Sequence, residues 1–415
     1  MSAKRGYRNK AIVILLLLLF IAFMAVYVSF YRQNDVENDA LYESDVDQSL
    51  LVVCDYELPE QKRLFLSMAE KFQQETGIIT EVKYIDSDFI LMQGGSRSGI
   101  LSEADVIICN YADLSYLMHS EELREIELSN YGIQERDYAV PNVFLSLHEN
   151  GKLYGIPFMG DQYVLYIDSE SMSSAGVKEI NSWDDVYEVC AQRSRSLVYG
   201  IGIGGRRQTE GAYLLWTLLY ENGCSNYTID TEQGEEALKS ILLLNKNGYL
   251  NRDSSIMTVM DMVEDFVQGH EAVIIAPYQY ASYIQEKAGK EITIAKMPKG
   301  IRGENVLSYK GIGMTLDSDE KAESFVRFLF QSDVRKQLRD SIDNLPLLNQ
   351  DFESCTPLEK ALVEENGVIL IDSAWGGTSE VYAEALKEML LDRELQADVF
   401  VKELQEKIRV AYIQN

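Results

Sequence analysis

Asp55, Tyr56, Asn110 and Tyr111 are the earliest residues in the chain placed to do chemistry. Each pair closes or follows a run of apolar, β-branched residues, LLVVCDY at 50–56 and ADVIICN at 104–110. A carboxylate or amide beside a phenol offers hydrogen bonds next to an apolar face, the combination that holds small polar molecules. Asp55 and Asn110 could instead cap the helices that follow them, and both roles stay open at this point. Catalysis has little to stand on, since no G-x-S-x-G, HExxH or Walker lysine motif occurs. With 66 acidic residues, carboxylate pairs arise by chance, so none is assigned to glycoside hydrolysis. The histidines (His119, His148, His270) are scattered singly and the five cysteines show no C-x-x-C spacing. No metal, no cofactor and no enzymatic activity are therefore expected. Cys54 and Cys109 end strand-like runs and are expected as buried free thiols rather than a disulfide.

Gly200-x-Gly202-x-x-Gly205 has the spacing of a dinucleotide fingerprint after a strand and before a helix. The acidic residue about 20 positions on would be Glu221. That residue ends a helix instead of a second strand, so nucleotide binding is not expected. Arg206 and Arg207, just beyond, are either a solvated pair or an anion clamp at a helix start. A net charge of -28 excludes nucleic acid as a partner, because a phosphate backbone selects clustered Lys and Arg.

The elements that must position these residues alternate. Leu50–Tyr56 reads as a strand buried on both faces. Pro59–Thr76 reads as an amphipathic helix, with Leu64, Met68, Ala69 and Phe72 on one side and Gly77 as its stop. Thr80–Ile85 and Ala104–Asn110 are the next strands. This β-α-β order predicts a parallel sheet with helices on both faces and ligands beyond the carboxyl ends of its strands. A second α/β set follows, with strands at Tyr163–Ile167, Leu197–Ile203 and Ala272–Ala276. Its helices are expected at Thr209–Glu221, Thr231–Asn247 and Met257–Gln268, and three more at Asp319–Phe330, Ser332–Asp340 and Ser379–Ile408.

Ahead of all this, residues 1–10 carry Lys4, Arg5, Arg8 and Lys10, and Ala11 to Tyr31 holds no charge. About 20 apolar residues span a bilayer core, and the basic start with an acidic continuation places the start inside and the body outside. The expectation is a single-pass membrane anchor at 11–31 and an acidic linker at 32–49, with a cleaved signal peptide as the rival reading.

Seven segments from Leu50 onward carry a shared pattern: KFQQETGIITEV at 71–82, ADVIICNYADLSYLMHSEELREI at 104–126 and, most specifically, GKLYGIPFMGDQYVLYID at 151–168. NSWDDVYEVC at 181–190, FVQGHEAVIIAPYQYASY at 266–283, GIGMTLDSDEKAESFVRFLF at 311–330 and SEVYAEALKEMLLDR at 379–393 complete it. In this order they resemble a family, the extracellular solute-binding proteins of the maltose-binding type that serve bacterial ATP-driven importers. Three departures stand out. No cysteine follows the apolar span closely, and the family's Tyr-Tyr-Asn is here Tyr166-Ile167-Asp168. Pro277 is followed by Tyr278 where tryptophan is usual.

The resemblance implies a periplasmic-binding-protein-like type II fold, two discontinuous α/β lobes joined by several crossovers with a cleft between them. The first lobe would take 50–157 with 310–366, and the second 158–309 with 367–415. It further implies a small-molecule ligand, a mono- or oligosaccharide first, and importer permease subunits as partners. A membrane-anchored sensor, or a protein for amino acids, peptides or polyamines, is the alternative. Ligand contacts would come from Asp55, Tyr56, Asn110 and Tyr111 in the first lobe. Asp161, Gln162, Tyr163, Arg206, Tyr278 and Tyr280 would supply them from the crossover and second lobe. Tyr309, Lys310 and Trp375 lie near later crossings.

Overall fold

In the computed structural model, which describes residues 49–193, 198–225, 227–364, 366–368 and 371–414, the strand expected near Leu50 is β1 (Ser49–Cys54), buried from Leu50 to Cys54. Helix α1 (Pro59–Thr76) follows, with Pro59 opening its first turn and Leu64, Phe65, Met68, Ala69 and Phe72 buried along one stripe. It stops at Gly77, whose φ of 78° lets its N–H reach Gln73 O at 2.8 Å. β2 (Ile79–Tyr84), β3 (Val106–Asn110) and α2 (Tyr111–His119) complete the opening βαβ pattern.

Two larger sheets organise the body. β1 and β3 run parallel, Val52 opposite Val106. β4 (Ile156–Asp161) ends sheet I, while β5 (Tyr163–Asp168) belongs to sheet II. After α3 (Trp183–Arg193) come β6 (Tyr199–Ile203), α4 (Gln208–Glu221), α5 (Glu232–Lys246), α6 (Val259–Val267), β7 (Glu271–Pro277) and β8 (Ile292–Lys296). β9 (Ser308–Met314) then returns to sheet I and lies antiparallel between β3 and β4. Sheet I therefore has the order β2-β1-β3-β9-β4 and sheet II the order β8-β5-β7-β6. Burial on both sheets follows from their continuous apolar runs, VIIC in β3 and AVIIA in β7.

Helices α7 (Glu320–Leu329) and α8 (Ser332–Ser341) follow, and the long helix expected at Ser379–Ile408 is two: α9 (Trp375–Leu391) and α10 (Ala397–Gln414). Asp392 is extended (φ -97°, ψ 113°) and its carboxylate accepts the Glu394 N–H at 2.8 Å, a local turn that competes with the helix. α9 packs along α4, and α10 packs against α9 and α5. Leu50–Asn415 forms one compact unit. The basic segment 1–10, the expected anchor 11–31 and all but the last residue of the linker 32–49 lie outside the described residues. Among the described residues, no helix is long and apolar enough to cross a membrane. Cys54 and Cys109 are buried and free.

Two buried carboxyls make stability depend on pH. Burial pushes Glu221 up to about 8, against the opposing Asn305 amide and Val306 N–H. Burial, and then the hydrogen bond with Asp265, push Glu271 up to about 8 as well. The folded chain thus keeps protons that the unfolded chain releases near about 4.3. The stabilisation these groups give is fully present below that value and is lost as pH rises toward about 8. The Tm is expected to fall between about pH 5.5 and 8.5, and Glu221→Gln to flatten part of that slope. A flat or rising Tm across this window in thermal unfolding would contradict the assignment.

Candidate functional site

A single residue, Gln162, separates the last residue of β4 from the first of β5. Asp161 sits opposite Ser308 in sheet I, and Tyr163 sits opposite Pro277 in sheet II. Strand ends from both sheets consequently border one cavity. Sheet I and its loops contribute Asp55, Glu57, Ser87, Asn110, Asp161, Ser308, Tyr309 and Lys310. The facing wall holds Tyr163, Pro277, Gln279 and Tyr280, with Thr209, Glu210 and Tyr213 from the start of α4 and Val259 from α6. Unfilled space amounts to about 710 Å³ including the mouth.

The charges here are largely matched internally. Lys310 stands opposite Asn110 in the β9–β3 register, which carries its Nζ to 2.6 Å from Asp55 Oδ1. The Asn110 N–H donates to the other Asp55 oxygen at 3.0 Å. Arg207 ion-pairs with Glu57, with Asp86 at 2.7 Å and with Glu210 at 3.3 Å. Glu210 is raised by burial, opposed by Arg207 and by the Val259 N–H. Asp161 Oδ1 accepts the N–H groups of Gln162 (2.7 Å) and Gln279 (3.3 Å). Burial outweighs these donors and pushes the Asp161 carboxyl up to about 7.

The two walls also touch directly. Asp88, in the loop after β2, accepts the N–H of Gln208 at 2.9 Å and of Thr209 at 2.8 Å, and so caps the N-terminus of α4. The Thr209 hydroxyl donates to Ser87 O at 3.2 Å. Tyr280 OH donates to Glu57 at 3.1 Å, and Gln61 Nε2 donates to Gln279 at 2.9 Å.

Of the residues expected at a ligand, Asp55, Asn110, Asp161, Gln162, Tyr163, Tyr280, Tyr309 and Lys310 line this cavity. The Asn110 side chain also accepts the Ala112 N–H at 2.9 Å, so the helix cap and the cavity wall are one residue. Five others stand elsewhere. Tyr56 is buried behind the wall, stacked on Phe65 with its hydroxyl on Met159 Sδ. Tyr111 is fully buried against Tyr309, because α2 begins there and turns the ring into the core. Tyr278 is buried outside the wall, its carbonyl accepting from Tyr166 OH at 3.1 Å. Arg206 is exposed and faces Asp261 at 3.6 Å, and its neighbour Arg207 holds the cavity rim. Trp375, expected near a later crossing, is the buried first residue of α9.

The glycines of the fingerprint serve packing. A Cβ on Gly200 would stand 2.7 Å from Cys190 Cβ, and one on Gly202 would overlap Met262 Sδ. Sequence reasoning missed Glu57, Ser87, Thr209, Glu210, Tyr213, Gln279 and Ser308. For Thr209 and Glu210 the run GGRRQTE at 204–210, which leads into α4, was the available signal, since a helix start preceded by arginines is an electrostatic site.

The profile of a family described as bacterial extracellular solute-binding protein matches residues 67–348. No curated protein matches the chain in sequence. Among solved structures, the GacH receptor of Streptomyces glaucescens, determined unliganded and with acarbose, is 18% identical at a TM-score of 0.74, over 88% of this chain and 99% of that one. Maltose-bound MalE3 of T. maritima is 15% identical at 0.73, over 87% and 100%. UgpB from Mycobacterium tuberculosis, in complex with glycerophosphocholine, is 14% identical at 0.71, over 88% and 98%. At these identities the likeness carries the fold, the α/β fold of the periplasmic-binding-protein type.

Proposed function

We propose, from the premise that this chain belongs to the bacterial extracellular solute-binding proteins, that it captures a small polar ligand, a carbohydrate first, in the cavity between its two sheets. The family is one of binding proteins rather than enzymes. The observation that supports the site is the composition of the wall: carboxylate, amide and ammonium groups from sheet I lie across the cavity from Tyr163, Tyr213 and Tyr280. Tyrosine rings accept the C–H faces of a sugar while their hydroxyls and the facing polar groups meet its hydroxyls. The structural relatives determined with acarbose and with maltose agree with that class.

In this reading each sheet centres one lobe, and the lobes change over at Gln162 and again between β8 and β9. A ligand touching both walls stabilises the closed arrangement alone, and the closed surface then docks on the permease subunits of an ATP-driven importer. Residues 11–31 hold the body on the extracytoplasmic face as a single-pass anchor, with 32–49 as the spacer. Calorimetric titration against a carbohydrate panel, paired with small-angle scattering, tests this function. Heat accompanied by a smaller radius of gyration is expected; neither heat nor compaction with any sugar would remove the assignment. Truncating the wall at Tyr163→Ala is expected to weaken sugar binding about tenfold, by loss of a stacking face.

A further inference from the structure

The cavity holds four wall carboxylates, Asp55, Glu57, Asp161 and Glu210, and one lysine. Lys310 is committed to Asp55 at 2.6 Å. Arg207, at the rim, is shared among Glu57, Glu210 and Asp86. Asp161 has no ion pair among the described residues, and it is held by backbone N–H groups instead. An anionic ligand would have to displace Asp55 from Lys310 and leave that carboxylate buried and uncompensated, a strongly unfavourable exchange. A neutral ligand would leave the excess negative charge in place. A cation would answer it, and the faces of Tyr163, Tyr213 and Tyr280 would add ring attraction to the same charge.

Resting on the binding-protein reading above, we propose that the cavity selects a polyhydroxylated ligand that carries a protonated nitrogen, with that nitrogen against the Asp161 carboxylate. The charge of -28 would raise the local concentration of such a cation around the body. The other charged and titratable groups lining the cavity with Asp161 are Lys310, Asp55, Glu57, Glu210 and the phenols of Tyr163, Tyr213, Tyr280 and Tyr309, while Tyr56, Tyr166 and Tyr278 are buried outside its wall. Burial pushes all of these phenols further above their ordinary range. Asp161, raised to about 7, is therefore the group that would give up its proton when an ammonium arrives.

The experiment titrates the full chain in detergent with neutral hexoses and disaccharides, their 2-amino forms, and the N-acetyl forms, whose nitrogen is uncharged. The amino form is expected to bind about tenfold or more tightly than its parent and its N-acetyl counterpart, with the preference lost in Asp161→Asn. At about pH 6, calorimetry in buffers of different ionisation enthalpy is expected to show a proton released on binding to the unmodified chain. Parent sugars binding as tightly as their amino forms, or no proton release, would overturn the charge selection and leave the binding-protein reading standing. No heat and no compaction with any of the three series would overturn both.

Discussion

Replacing Asp88 by alanine is expected to open the body and to weaken ligand binding roughly 10- to 30-fold. The first N–H groups of a helix have no partner within it, and α4 follows Arg207, which supplies no side-chain cap. Asp88 satisfies two of them from 120 residues away in sequence, one oxygen on Gln208 N at 2.9 Å and the other on Thr209 N at 2.8 Å. Its charge also lies at the positive end of the helix dipole. Loss of a capping carboxylate costs about 1–2 kcal/mol, and each ~1.4 kcal/mol is tenfold in an equilibrium. Because this cap bridges the two walls, its loss falls on the closed form, and the apparent Kd rises as the competent fraction falls. Small-angle scattering should show a larger radius, and calorimetry the weaker binding. Unchanged radius and affinity would mean that solvent caps α4 equally well. Asp88→Asn, which keeps an acceptor and removes the charge, should fall between the two.

Lys310→Met carries the second large effect. Asp55 is 3% exposed, with its carboxylate held between Lys310 Nζ and the Asn110 N–H. The lysine also lies over the Tyr56 ring, 5.6 Å from its centre. Removing one partner of a buried pair leaves an uncompensated charge and costs about 3–5 kcal/mol. At roughly 1–2 °C per kcal/mol for a chain of this size, Tm should fall by roughly 4–8 °C. The double variant Asp55→Asn with Lys310→Met should recover most of that loss, since neither charge then remains. A double variant as unstable as the single one would show that Lys310 acts by packing, and the cycle of single and double variants measures the coupling.

Much of the fold was legible because its signals are local. The β-branched run at 50–54, the amphipathic stripe of α1 and the stop at Gly77 each follow from neighbouring residues. Asp55 and Asn110 could be nominated because polar residues at the carboxyl ends of parallel strands border the crevice of such sheets. Arg206 and Arg207 were indistinguishable in sequence. One step along the backbone sends the first to solvent and the second between Glu57 and Asp86. Tyr111 and Tyr309 carried the same expectation, yet only Tyr309 reaches the wall while Tyr111 packs behind it.

Sequence alone determined the order of the elements, the absence of recognisable catalytic motifs and the residues at the ends of β1 and β3, because periodicity, capping and turn chemistry act over a few residues. Tertiary structure decided which side chains meet. Asp88 with Thr209, Arg207 with Glu57 and Lys310 with Asp55 are joined by the return of β9 to sheet I and by the placing of α4 across the cavity. Such pairings are set by packing between residues far apart in the chain, and no short window of residues contains both partners.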